Sequence, residues 1–261
     1  MRLGTAMSKL IAVSAIGLLT TIGSGAHSAE IKALITTALK TSIEDLAPQF
    51  ERATGHKLRA AYGPSSTLVK RIVDGEDADF VIVGGDGIDQ LIKQGKVIDG
   101  SGAKFARSMI GAAVAKGAPR PDISSAEAFK RALLAAKSVA YSDAASGGAS
   151  GVYLAKAFEK MGIAAALKAK AKLAAGGPTG FAATFVANGE AEIAMQPIPE
   201  LMAVPGIDIV GPLPGDFQNV TTYAAGVPVY AAEPEAAEAL IKFLTTPAAA
   251  AVFKAKGLDP T

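Results

Sequence analysis

The sequence predicts an α/β protein of two Rossmann-like lobes joined by two extended hinge crossings, and three observations carry that expectation. Strand-like and helical runs alternate from Ile31 onward, as parallel sheets flanked by helices require. A Pro-rich connection, "GAPRPDISS" at 117–125, separates two sets of such units. Small hydroxyl residues gather where strands hand over to helices, the edge of a parallel sheet at which ligands bind.

The elements follow in order. "IKALIT" (31–36) reads as a strand, and the helix after it (40–55) repeats Ile43, Leu46, Ala47 and Phe50 at helical spacing before Gly55 ends it. "HKLRAAYG" is a second strand, "SSTLVKRIVDGE" a second helix and "DFVIVGG" (79–85) an apolar third strand. "GIDQLIKQGKV" as a helix and "RSMIGAAVAKG" as a strand complete a first lobe. A helix capped by Ser124 or Ser125 opens the second lobe, followed by the strand "SVAYSD" (138–143) and the helix "SGVYLAKAFEKMG" (150–162). "AKLAAG", "GFAATFVANG" and "AEIAMQP" repeat strand, helix and strand. The stretch 208–228 reads as one long extended return, and two helices end the chain. The expected lobes are 29–112 with 225–261, and 113–224, with crossings near 110–118 and 218–227. Two such crossings form a hinge able to close on a ligand, while a single doubly wound sheet is the alternative topology.

Residues 1–28 read as a secretory signal: Arg2 and Lys9 give the positive start and Leu10–Leu19 an apolar stretch, shorter than the roughly 20 residues a bilayer span needs. Cleavage after Ala26 or after Ser28 fits the small-residue rule, and export to the periplasm follows as an expectation. No later segment has the length and apolarity of a membrane span. Of the 26 basic residues two lie in this leader, and the remaining 24 balance the 24 acidic ones, so no electrostatic footprint for nucleic acid or an anionic membrane is present. Cysteine is absent and histidine is limited to His27 and His56, which removes Cys-based zinc sites, multi-His metal sites and Cys/His nucleophile pairs. No cofactor is expected. His56, between helix and strand, reads as a turn residue.

Four junctions carry the candidate ligand contacts: Thr36 and Thr37 with Thr41; Ser65 and Ser66; Ser142, Ser146 and Ser150 in "SDAASGGASG"; and Thr179 in "GGPTG". Taken singly, a Ser or Thr at a helix start is a cap. Taken together on two lobes, with glycines that let a ligand approach the backbone, they form an anion pocket, because unsatisfied N–H groups at helix starts favour negative charge. The glycine loop lacks the Lys-Ser/Thr pair of a Walker motif. Arg107 and Lys40 are the nearest cations; Arg107 would fork onto a carboxylate or simply face solvent. Tyr153 either donates to ligand or packs in the core with its hydroxyl exposed. Gln196, ending an apolar strand, is a candidate contact because an unpaired buried amide is costly.

The segments "TSIEDLAPQFERATGHKL", "YGPSSTLVKRI", "GEDADFVIVGG", "SGVYLAKAFEKMGI" and "VANGEAEIAM" together resemble the type II periplasmic binding proteins related to the molybdate receptors of ABC transporters. The resemblance covers nearly the whole mature chain. It implies an oxyanion held by hydroxyls and backbone amides, at positions matched here by Ser65, by Ser150 with Gly151, and by Thr179. Two positions depart: the first serine falls on Ala38 beside Thr37, and the tyrosine falls at Gln196 or Pro197. The resemblance therefore implies a small anionic ligand, a membrane ABC permease as partner and a monomer, without naming molybdate. "AYSDAASG" and "GEAEIAMQPIPELMAVPGIDIVGPLP" further resemble a subgroup that includes periplasmic aconitate isomerases on the same receptor fold. Such a reaction would draw on Arg107 and Lys40 for the carboxylates and on Tyr153 or Glu200 as acid and base. A receptor is the first expectation and the isomerase its alternative.

Overall fold

The computed structural model describes residues 28–175 and 180–261. The signal segment, apart from Ser28, lies outside the described residues, as does Thr179.

In the first part of the chain β1 (Glu30–Thr36) leads through a 3-10 turn (Thr37–Leu39) into α1 (Lys40–Thr54). Next come β2 (Lys57–Gly63), α2 (Ser65–Val73), β3 (Phe80–Gly84), α3 (Gly87–Lys93) and the long β4 (Ala103–Ala115). Then follow α4 (Ala126–Ala135), β5 (Val139–Ser142), α5 (Ala149–Lys160), α6 (Ala164–Lys168), β6 (Ala171–Ala174), α7 (Ala182–Ala187), β7 (Ile193–Pro197) and α8 (Ile198–Met202). β8 (Ile207–Pro212), β9 (Val220–Gly226), α9 (Pro234–Leu244), α10 (Pro247–Ala255) and β10 (Asp259–Pro260) complete it.

Local chemistry sets these limits. In α1 Ile43, Leu46 and Phe50 are buried on one face, and Gly55 ends the helix in the left-handed region at φ 79°, its N–H bonded to Glu51 O. Ser125 caps α4 by accepting the N–H of Ala128, and Thr246 caps α10 by accepting that of Ala249, with Pro247 in the first turn.

The strands run β2-β1-β3-β9-β4-β7-β5-β6, with β8 and β10 also on β4. Two parallel groups, β2-β1-β3 and β7-β5-β6, are joined by the antiparallel β9 and β4. β4 belongs to both: Ala103–Met109 pair with β9, and Ile110–Ala113 pair with β7. The inner strands β1, β3, β5 and β7 are buried on both faces, which explains their nearly continuous apolar sequence. Ile35, Phe50, Phe80 and Phe253 share one core and Leu68, Ile72, Val81 and Val83 another, while Phe129, Leu154, Phe158 and Met195 fill a third beneath α4 and α5.

Two differences from the sequence expectation have physical causes. The return at 208–228 is two strands, β8 and β9, separated by a 3-10 turn at Gly215–Phe217. Extended, Gly- and Pro-rich sequence reveals neither its pairing partner nor its breaks. Both strands of this return pair with β4, which itself passes from β9 to β7 at Met109/Ile110, a pairing that the sequence does not reveal. The short helices α6 and α8 were not expected, since five residues are too few to register a helical period.

Candidate functional site

The carboxyl ends of β1, β2, β5 and β7 meet at one cavity of about 40 Å³. That is room for about three water molecules at ~10–15 Å³ each. Thr36, Thr37 and Ser65 line it from the first half of the sheet, and Ser142, Ser146, Gly148, Ala149 and Ser150 from the second. Pro197 and Glu200 close one side, and Thr221 and Tyr223 reach in from β9. None of the described residues that line it has a cationic side chain.

The hydroxyls are arranged to leave hydrogens over. Gln196 is buried and bridges two partners, accepting the Ala182 N–H at 2.6 Å and donating through Nε2 to Ser142 Oγ at 3.1 Å. Ser142 Oγ also accepts from Ser150 Oγ at 3.3 Å, so its own hydrogen remains for an acceptor in the cavity. Across the cavity Ser65 Oγ accepts the Gly84 N–H at 3.0 Å and donates to Thr36 Oγ1 at 3.1 Å, which likewise leaves the Thr36 hydrogen. Thr37 is only 6% exposed and its Oγ1 has no hydrogen-bond partner. A buried hydroxyl without a partner costs about 1–3 kcal/mol, and a ligand oxygen would remove that cost. The twelve-residue α5 adds the free N–H groups of its first turn, at Ala149, Ser150 and Gly151.

Among the described residues on this lining Glu200 is the one carboxyl. Its side chain keeps partial solvent access, yet burial pushes it up to about 8, and no other group offsets that penalty. Tyr223 is 2% exposed, shares a 2.8 Å hydrogen bond with Ser108 Oγ and is held well above the ordinary tyrosine range by burial. Gly84 makes room for this strand, because a Cβ there would lie 2.6 Å from Thr221 Cγ2 and 3.1 Å from Tyr223 Cε1.

A latch joins the two halves at the cavity rim. Ser66 Oγ donates to Gly147 O at 2.6 Å, across 81 residues of sequence. Gly147 sits at φ 81°, in the region that favours glycine. Replacing Ser66 with alanine is expected to weaken ligand retention by about 0.5–1.5 kcal/mol, seen as a roughly 2- to 10-fold faster release in stopped-flow measurements with association nearly unchanged.

The match to a known family model runs over residues 31–259, and its description is bacterial extracellular solute-binding protein. The chain belongs to this family. The solute-binding protein is 38% identical to the aconitate isomerase of a Pseudomonas species, over 98% of this chain and 92% of that protein. It is 27% identical to the molybdate-binding protein of Azotobacter vinelandii, over 96% of this chain and 97% of that one. Among solved structures, the periplasmic molybdate-binding protein of Azotobacter vinelandii superposes with a TM-score of 0.71, at 20% identity over 87% of this chain and 98% of that one. The sulfate-binding protein of Mycobacterium tuberculosis gives 0.68, at 17% identity over 90% and 88%. At those identities the superpositions show the shared fold.

Of the residues singled out in the sequence, Thr36, Thr37, Ser65, Ser142, Ser146 and Ser150 meet at the cavity of the solute-binding protein. Others lie behind or away from it. Ser66 forms the latch and Gln196 orients Ser142 from behind. Tyr153 donates its hydroxyl to Gln218 O at 3.1 Å and packs against the core of the second half. Arg107 is exposed on β4, off the lining. Lys40 also lies off it, bonded to Glu44 at 2.7 Å and 5.9 Å from the Tyr62 ring centroid. The alternation of β4 explains Arg107, since its neighbours Ala106 and Ser108 are the buried ones. His56 accepts the Ala29 N–H through Nδ1. Sequence reasoning missed Thr221 and Tyr223, although their spacing of two in an extended run places both on one strand face.

A far larger groove, about 830 Å³, runs over the outside of the second half between Arg120, Arg131, Val186 and Ile193. Among the described residues no buried polar side chain lines it, so size alone does not make it the site.

Proposed function

We propose that this protein is an extracytoplasmic receptor that closes two lobes, 29–112 with 225–261 and 113–224, on a small anion and hands it to a membrane ABC permease. The observation that carries this is the lining of the cavity. Hydroxyls with hydrogens to spare, the unpartnered Thr37 Oγ1 and the first turn of α5 converge from both halves of the sheet. Hydroxyls and helix-start N–H groups with hydrogens to give select an acceptor-rich ligand. Its volume suits an oxyanion of a few heavy atoms. On this reading residues 1–28 direct export and one chain acts alone.

A thermal-shift series with sulfate, molybdate, phosphate, citrate and trans-aconitate tests it. At 100 times the dissociation constant a bound anion adds about 2.7 kcal/mol to stability, a rise of several degrees in Tm. No rise with any of these anions would sink the proposal.

One observation favours a second reading, a cofactor-free isomerase of aconitate. Glu200, poised near neutral pH, is placed to take and return a proton beside a bound carboxylate, and the 38% identical relative is named for that reaction. Mixing the protein with cis- or trans-aconitate and following interconversion separates the two: turnover establishes the enzyme, and tight binding without turnover leaves the receptor.

A further inference from the structure

We infer that Glu200 meets the bound anion as an uncharged carboxylic acid and donates a hydrogen bond to it, so that a protein molecule whose Glu200 is ionised takes up one proton on capture. The inference rests on the anion-binding reading of the same cavity and names what controls it.

The geometry carries the argument. Glu200 lines a cavity whose other polar groups are hydroxyls and helix-start N–H groups, every one suited to negative charge. A charged carboxylate on that lining would face the ligand's own charge across a few ångströms, with no Lys, Arg or His among the described lining residues to offset it. Protonation turns the same group from an acceptor into a donor and aligns it with the rest of the site. The segment holding it is stiff, because Pro197 and Pro199 flank its first helical residue.

The groups on the surrounding elements do not supply an alternative charge. α8 packs against β4, β7, β8, α7 and the Thr37–Leu39 turn. Of these, β7, α7 and the turn carry no ionisable side chain. β4 brings Ser108, bonded to Tyr223 of β9, a neutral neighbour whose hydroxyl Glu200 helps to push up. Arg107 and Lys104 of β4 are exposed, and Asp208 of β8 accepts the Gly117 N–H. Lys40 is bonded to Glu44 and Lys256 to Asp45. The rise of Glu200 to about 8 agrees with the geometry, and a bound anion raises it further.

Affinity for sulfate, molybdate and trans-aconitate, measured by calorimetry between pH 7 and 9.5, tests this with whichever of the three binds. The expected result is constant affinity below about pH 8 and a fall of about tenfold per pH unit above it, as linkage to one proton requires. Paired titrations at pH 9 in two amine buffers of different ionisation heat are expected to show close to one proton taken up per anion. In Glu200→Gln, which keeps a donor but cannot ionise, affinity is expected to be flat from pH 7 to pH 9.5. Flat affinity in the parent protein, no proton uptake, or an unchanged pH dependence in Glu200→Gln would each overturn the inference. The proton count needs no variant, so it decides the matter even if Glu200→Gln does not fold. Absence of binding at every pH is a different failure, that of the anion site itself.

Discussion

Replacing Gly151 with alanine is expected to cost at least tenfold in anion affinity, and about 1–3 kcal/mol in stability from overpacking. A Cβ at that position would lie 2.3 Å from Ser142 O, 2.9 Å from Ser142 C and 3.0 Å from Asp143 C. All three are backbone atoms at the end of β5, where no flexible side chain can swing aside. The first turn of α5 must therefore lift off the strand, carrying with it the free N–H groups and Ser150. Gly148 is the control: its Cβ would be 3.4 Å from Ser142 Cβ, an ordinary contact, and its φ of −69° suits any residue. Gly148→Ala should fold nearly as the parent does. Calorimetry of Gly151→Ala and urea unfolding of the two variants check both statements, and unchanged affinity in Gly151→Ala would remove α5 from the site.

The second large effect concerns stability. Glu200 titrates near 8 in the folded chain against 4.5 as the reference. Between these values the unfolded chain has lost a proton that the folded chain keeps, so this group lowers stability as pH rises from about 4.5 to 8. Glu200→Gln removes that dependence. The gap between variant and parent is expected to move by about 3 kcal/mol in the variant's favour from pH 5 to pH 8, after allowance for the partial solvent access of the side chain. Urea unfolding at the two pH values measures it. A gap that stays constant would mean that Glu200 titrates as an ordinary surface carboxylate.

Much of the fold is legible in the sequence because its units are local. Ile43, Leu46 and Phe50 mark one helix face, Gly55 its end and Ser125 the start of another helix, each through chemistry within a few residues. The candidate site is legible to the same depth. Hydroxyls at strand-to-helix junctions stay at the edge of the sheet wherever the strands are placed, which is why Thr36, Ser65 and Ser142 could be found in advance. What depends on distant pairing could not. Tyr223 enters the cavity because β9 lies between β3 and β4, and only the sheet order reveals that. Arg107 follows a strand alternation whose phase is set by the core, and Gln196 works one step behind the lining, where polarity alone cannot distinguish a contact from a support.

The most direct test of the shared anion site is a crystal structure grown with the anion that raises Tm most. The anion is expected between the Thr36–Thr37 junction and the Gly148–Ser150 turn, with one oxygen accepting from Thr37 Oγ1 and others from the first-turn N–H groups of α5. An anion found instead in the outer groove beside Arg120 and Arg131, with Thr37 Oγ1 still unpartnered, would contradict the account.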